Sequence, residues 1–188
     1  MNRDLFTGEL VHLTAQNPDT DAEAIARWEH DSEFERLLSI DPIVPLGAKL
    51  WRERLEKLPE ERFVHFAIRT LADDKLIGFI SLFGLTNQHN DCWVGIGIGE
   101  RDYWGKGYGT DAMRIILRYA FQEWNRHRVS LNLLGTNERA RRSYEKAGFV
   151  LEGRTRETDY RMHLRADLIY MGVLRHEWEA AEARRGLV

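Results

Sequence analysis

Residues 92–99 read Cys-Trp-Val-Gly-Ile-Gly-Ile-Gly, and a two-residue period puts Val94, Ile96 and Ile98 on one face of a strand and Gly95, Gly97 and Gly99 on the other. Glycine weakens a strand and leaves its backbone bare, so three on one face imply that something lies close against that face. A polar turn, residues 100–103, leads into Trp104-Gly105-Lys106-Gly107-Tyr108-Gly109-Thr110. Beyond it Ala112, Met113, Ile115, Ile116, Tyr119, Ala120 and Phe121 recur at helical spacing. A strand, a glycine-rich turn and a helix start together predict an anion site. The first amides of a helix have no internal partner and lie at the positive end of its dipole, and glycines let successive N–H groups converge on one phosphate. Residues 105–110 therefore read as a diphosphate cradle, with a flexible loop ahead of a helix as the plainer alternative.

Two familiar phosphate patterns fit poorly. Walker A needs four residues between its first glycine and Gly-Lys, which this stretch lacks. Gly107-Tyr108-Gly109-Thr110-Asp111-Ala112 satisfies the dinucleotide fingerprint, but that motif follows its strand directly and calls for an acid about 20 residues later. Here a polar turn intervenes, and the next strand, residues 128–134, carries no acid.

Along the rest of the chain, residues 10–14 predict a strand, 17–21 a turn with several possible N-caps followed by a helix to about residue 30, 31–38 a second helix and 48–58 a third, ended by Pro59. Between the last two, residues 40–46 form an apolar connector with two prolines, either the wall of a pocket or a cover for the core. Residues 63–71 and 76–85 predict a hairpin that joins the glycine strand in an antiparallel run. Residues 129–133 give a further strand, and 137–147 a short helix capped by Asn137 and ended by Gly148. Two last strands are expected at 149–154 and 166–178, the second turning helical near its end.

A chain of 188 residues, 43% apolar, suits one α+β domain spanning 1–188. A net charge of −3 argues against general nucleic-acid binding. The lone Cys92 excludes an internal disulfide and fits a reducing compartment, and the seven histidines show no metal-ligand spacing, so no metal is expected. No window has the length of a signal peptide or membrane span, which makes the cytoplasm the expected location.

Two segments carry a family resemblance. Tyr103-Trp-Gly-Lys-Gly-Tyr-Gly-Thr110, and later Asn137-x-x-Ala140-x-x-x-Tyr144-x-Lys146-x-Gly148-Phe149, resemble in order the two coenzyme segments of the GNAT superfamily of N-acetyltransferases. The form is that of the branch holding ribosomal-protein N-terminal acetyltransferases (RimJ/RimL-like) and many antibiotic or polyamine acetyltransferases. The resemblance implies the GNAT fold: a mixed, mostly antiparallel central sheet of about six to seven strands, splayed at the glycine strand and flanked by helices. It implies acetyl-CoA as co-substrate and transfer of acetyl to a primary amine by direct attack in a ternary complex. The acceptor would be a protein N-terminus, a polyamine or an aminoglycoside-like amine, and a homodimer is common in the branch.

The same resemblance distributes roles. Main-chain groups at Ile96 and Ile98 would meet the pantetheine arm, and Trp104, Gly105, Lys106, Gly107, Tyr108, Gly109 and Thr110 would hold the diphosphate. Asn137 would contact the coenzyme arm, although it also suits a helix cap; apart from the resemblance, Arg139, Arg141 and Arg142 lie on the same helix and either attract the 3′-phosphate, with Arg142 the choice, or are solvated. Tyr144 would protonate the departing thiolate, since a phenol is a proton donor at neutral pH. A glutamate often precedes the Ile-Gly of the glycine strand in related sequences, but here Trp93 precedes Val94-Gly95. Glu100 at the strand end, Asp91, His65 and His163 are the candidate substitutes as general base, each also suited to a surface or satisfied polar role, and a water relay or an amine partly deprotonated in bulk water would also serve. A module that binds acyl-CoA without catalysis is the alternative reading.

Overall fold

The computed structural model describes residues 4–57, 63–86, 88–161 and 164–186. In chain order the elements are β1 (Val11–Ala15), α1 (Pro18–Glu29), α2 (Ser32–Leu38), α3 (Ala48–Glu56), β2 (Phe63–Thr70), β3 (Leu76–Phe83), β4 (Asp91–Ile98), a 3-10 turn (Arg101–Tyr103), α4 (Tyr108–Gln122), β5 (Arg128–Leu134), α5 (Glu138–Ala147), β6 (Val150–Arg161), β7 (Leu164–Leu174) and α6 (Arg175–Arg184). Local chemistry sets most of these starts. The Asn17 side chain accepts from the Asp19 amide behind Pro18, the Asp31 side chain accepts from the Glu33 and Phe34 amides, and Gly148 at φ 108° closes α5. Leu58 and Pro59, expected to end the third helix, lie outside the described residues, as does His163.

One seven-stranded sheet runs in the order β1-β2-β3-β4-β5-β7-β6. Neighbours are antiparallel except β4 and β5, which pair in parallel at Asp91–Arg128, Cys92–Val129 and Trp93–Ser130 and then part. Beyond Trp93 the β5 side of β4 has no strand partner among the described residues. Helix α4 covers one face of the sheet and buries Met113, Ile115, Ile116, Leu117 and Phe121, each at 1% exposure or less. At roughly 1.5–3 kcal/mol for each such side chain, this helix is a main anchor of the core. Helices α1, α2 and α3 cover the other face around Ile25, Trp28, Phe34 and Leu55. No described helix is long and apolar enough to cross a membrane.

At Gly97 and Gly99 the bare glycine face is filled by the protein itself. A Cβ on Gly99 would overlap the Trp28 ring, and one on Gly97 would come within 2.9 Å of Cζ of both Phe34 and Phe79. The glycines thus let the aromatic side chains of α1, α2 and β3 press onto the β4 backbone, which sequence alone could not specify.

Two expected boundaries move. β6 continues past residue 154 to Arg161, because pairing with β7 holds the arginine-rich segment extended through an irregularity between Thr155 and Asp159, where Glu157 takes φ 53°. β7 stops at Leu174, where Glu177 Oε2 accepts the Leu174 amide at 2.9 Å and the chain enters α6. Trp178 is therefore helical, its ring 5.2 Å from that of Phe121.

Candidate active site

A cleft of about 860 Å³ opens where β4 and β5 part. Its first end is the turn into α4. Gly105 and Gly107 take φ values of 71° and 95°, the left-handed region that side chains other than glycine rarely occupy. Gly107 is also the residue from which α4 starts, and no side chain caps that end, so its first amides are left to a ligand or to water. Trp104 is clamped beside the turn: its indole N–H donates to the Ile98 carbonyl at 2.5 Å, and the Arg139 guanidinium lies 3.6 Å above its ring. Thr110 and Ser143 join α4 to α5 through their hydroxyls at 2.7 Å, and the Tyr108 ring meets Tyr103 edge-on at 4.9 Å.

Of the residues predicted to hold coenzyme, Ile96, Ile98, Trp104, Gly105, Gly107, Gly109, Thr110, Asn137 and Arg142 line this cleft together with Tyr144. Lys106 and Tyr108 belong to the same turn but are not part of the lining. Asn137 uses both ends of its amide: Oδ1 accepts from the Ala140 N–H at 3.1 Å, and Nδ2 donates to the Leu37 carbonyl at 3.4 Å. It is thus a cap and also a tie between α5 and the end of α2. Arg142 is exposed on the rim, whereas Arg141 is engaged by Glu145 at 3.0 Å.

Asp111 and Arg114 are among the lining residues that escaped the sequence reading. Asp111 is buried and its Oδ2 accepts the amides of Glu9, Leu10 and Val11 at 2.9, 2.8 and 3.1 Å, pinning the segment before β1 onto the first turn of α4. An acid in a first helical turn is too common for its partners to be read from sequence. Arg114 lies one turn after Thr110; its Nε is buried without a partner, while another guanidinium nitrogen donates to the Lys146 carbonyl at 3.4 Å. A buried, unpaired guanidinium N–H on a residue of the cleft lining is the kind of donor that an anion completes.

Tyr144, half-buried on α5, faces the cleft, and burial pushes its phenol up to about 12 despite the opposing charge of Arg139. It is a proton donor across the physiological range. The candidate bases fare differently. Glu100 is outside the cleft lining: its carboxylate takes the Arg27 guanidinium and the Trp28 indole N–H at 3.0 Å, with Lys75 Nζ at 3.6 Å. Burial works to raise its pKa, but the bonds from Trp28 and Arg27 and the nearby positive charges outweigh it and hold it below the usual range. The carboxylate proposed from sequence as the base thus fastens α1 to the end of β4. His65 stacks on Phe63 and is pushed down to about 4 by burial, Nδ1 lying 2.5 Å from Ser81 Oγ; it too lies outside the lining. Asp91 begins β4, also outside the lining.

The cleft's second end is formed by Phe83, Trp93, Gly95, Asn132 and Leu168, faced by residues 37–41. The first part of the apolar connector is thus a pocket wall. Among the described residues no group of three His, Cys, Asp or Glu is placed to hold a metal ion.

Residues 11–150 match the acetyltransferase (GNAT) domain family. A putative ribosomal N-acetyltransferase, YdaF of Bacillus subtilis, is 36% identical over 109 residues, covering 58% of this chain and 59% of that protein. The chain thus spans less than two thirds of that relative's length. A putative acetyltransferase from T. thermophilus superposes with a TM-score of 0.74 at 29% identity, covering 95% of this chain and 93% of that one. Spermidine N-acetyltransferase from Vibrio cholerae, in complex with CoA and spermine, superposes with a TM-score of 0.79 at 21% identity, covering 90% and 98%. With the family match covering both coenzyme segments and the splayed strand, this chain belongs to the GNAT acetyltransferase family.

Proposed function

We propose that the protein is an N-acetyltransferase that moves acetyl from acetyl-CoA directly to a primary amine. The observation that carries this reading is one continuous cleft, in which the parted edge of β4, the uncapped start of α4 and the Tyr144 hydroxyl share a wall. The residues present suit the donor: left-handed glycines leave the first α4 amides open, and the buried Arg114 Nε and exposed Arg142 offer positive charge to phosphates. Acetyl-CoA supplies an activated thioester carbonyl, so a covalent enzyme intermediate is unnecessary and positioning does most of the work.

Main-chain groups on the open edge of β4 orient the donor and polarise its carbonyl. The amine nitrogen bonds to the carbonyl carbon, the carbon–sulfur bond breaks and its electron pair goes to sulfur. Tyr144 gives its proton to that sulfur, and the proton lost by the amine passes to solvent, which restores the phenol. No carboxylate comes from the stretch of β4 that lines the cleft, where Trp93, Val94, Gly95, Ile96, Gly97 and Ile98 stand, so the amine enters as the free base or gives its proton to water. Calorimetry with acetyl-CoA, paired with free-thiol release across a panel of amines and peptides, tests the reading. Binding with turnover of at least one amine supports it; tight binding with no turnover makes the protein an acyl-CoA-binding module instead.

A further inference from the structure

Sheet register fixes the floor of the cleft's second end. Phe63, Phe83 and Trp93 fall opposite one another across β2, β3 and β4, and the next row on the same face is His65, Ser81 and Gly95. Phe83 keeps 40% of its surface exposed, and Trp93 is half-buried. A Cβ on Gly95 would meet only the Phe83 ring, at 3.6 Å, so a hollow lies beside the aromatic rings. Leu37, Leu38 and Ile40 face this floor.

The charges at this end are few. Among the described residues Asp41 is the one carboxylate of the acceptor wall, and it accepts from Ser39 Oγ at 3.2 Å. Glu9 and Asp111 line the other end, where Asp111 is occupied by three amides. The same cleft is lined by Arg114, Arg139, Arg142 and Lys146.

We infer that the acceptor is the α-amino group of a peptide whose first residue has an apolar or aromatic side chain, seated in the hollow at Gly95 against Phe83 and Trp93. The inference rests on the acetyl-transfer reading above. A polyamine or aminoglycoside brings several ammonium groups, and each needs a carboxylate or water once enclosed. One wall carboxylate and an aromatic face suit a single amine, not several. The connector that follows the wall carries exposed apolar side chains, Ile40 at 42% and Val44 at 70%. Those side chains suit the following residues of a peptide and give nothing to a small free amine.

The test measures kcat/KM with acetyl-CoA for hexapeptides beginning with Phe, Leu, Met, Gly, Asp or Lys, for phenethylamine and for spermidine. Peptides starting with Phe, Leu or Met are expected to exceed the Asp and Lys peptides, phenethylamine and spermidine by about tenfold or more. Phe83→Ser is expected to lower the ratio of Phe-initiated to Gly-initiated turnover about tenfold, and Gly95→Val, which fills the hollow, to lower it in the same direction. Calorimetry with acetyl-CoA confirms that each variant is folded. Preference for spermidine or the Lys peptide overturns the inference and leaves acetyl transfer standing. Phenethylamine matching the Phe peptide overturns the peptide part, and an unchanged ratio in both variants overturns the hollow. Acetyl-CoA binding without acetylation of any amine overturns the transfer reading and this inference together.

Discussion

At the end of the cleft near α4 the wall is largely main chain: left-handed Gly105 and Gly107, the uncapped first turn and the unpaired edge of β4. At the end under α2 it is largely side chain: Phe83, Trp93 and Leu168 from three strands, and Leu37 and Ile40 from α2 and its connector. A main-chain site demands a backbone shape and tolerates nearly any side chain that permits it. A side-chain site demands particular shapes from residues far apart in sequence. The two ends should therefore respond to different substitutions, the first through backbone strain and affinity for the donor, the second through choice of acceptor.

The largest effect should come from Gly107→Val. Position 107 holds φ 95°, where a β-branched residue is strained, and an added Cβ would also sit 3.4 Å from Leu10 Cδ1. Strain of about 1–3 kcal/mol, taken up by opening the turn, predicts a loss in acetyl-CoA affinity of about 100-fold by calorimetry. Gly95→Val at the other end should leave that affinity within about twofold, since its Cβ meets only the Phe83 ring at 3.6 Å. Equal losses in the two variants would erase the distinction between the ends.

Comparable in size, but in kcat and not in affinity, is Tyr144→Phe. Removing a general acid predicts a kcat lower by on the order of 100-fold with acetyl-CoA affinity unchanged. Because burial holds the phenol protonated to about 12, wild-type kcat should show no descending limb from Tyr144 between pH 7 and its ordinary value of 10.0. The same shift bears on stability. Between pH 10 and about 12 the unfolded chain loses this proton while the folded chain keeps it, so stability is full below 10.0 and falls through that window. An unaltered kcat in the variant would remove the donor role and leave the ring as packing.

A smaller effect is expected at Glu100. Since its carboxylate is held by Arg27, Trp28 and Lys75 outside the cleft, Glu100→Gln should leave kcat within about twofold and cost about 1 kcal/mol or less in urea unfolding. A large loss of kcat with stability intact would return Glu100 to the chemistry.

These contrasts follow what the sequence could and could not convey. Helix starts at Asp31 and Asn137 and the stop at Gly148 were legible because each depends on neighbours a few residues away, whereas residues 17–21 offered several caps of which Asn17 is the one used. The glycine turn was legible for the same reason. What covers Gly97 and Gly99 was not, since Trp28, Phe34 and Phe79 reach them from other elements. Nor was the partner of Glu100, the role of Asp111 or the reach of β6 to Arg161, each fixed by pairing across long stretches of chain. The acceptor wall belongs wholly to this second kind. Trp93 was visible as a departure from the familiar pattern, but its row with Phe63 and Phe83 exists only once the sheet register is set.

The smallest expected effect uses that register to probe the acceptor floor. His65 lies in the row with Ser81 and Gly95, stacked on Phe63 at 5.4 Å and beside Phe79 at 5.5 Å, and burial pushes it down from 6.5 to about 4. Above pH 6.5 both folded and unfolded chains carry it neutral, and its contribution is complete. As pH falls from 6.5 toward 4 the unfolded chain takes up a proton that the folded chain refuses, so stability declines across that interval and levels off below it. His65→Gln should reduce the difference in urea midpoint between pH 7 and pH 4.5, because no imidazole remains to be charged. Hydrogen exchange on the wild-type protein should place the loosening at pH 4.5 in β2 and β3, with α4 and α5 unchanged. Equal loosening at both ends would mean that the two walls share one cooperative unit and that their different construction does not separate their stabilities.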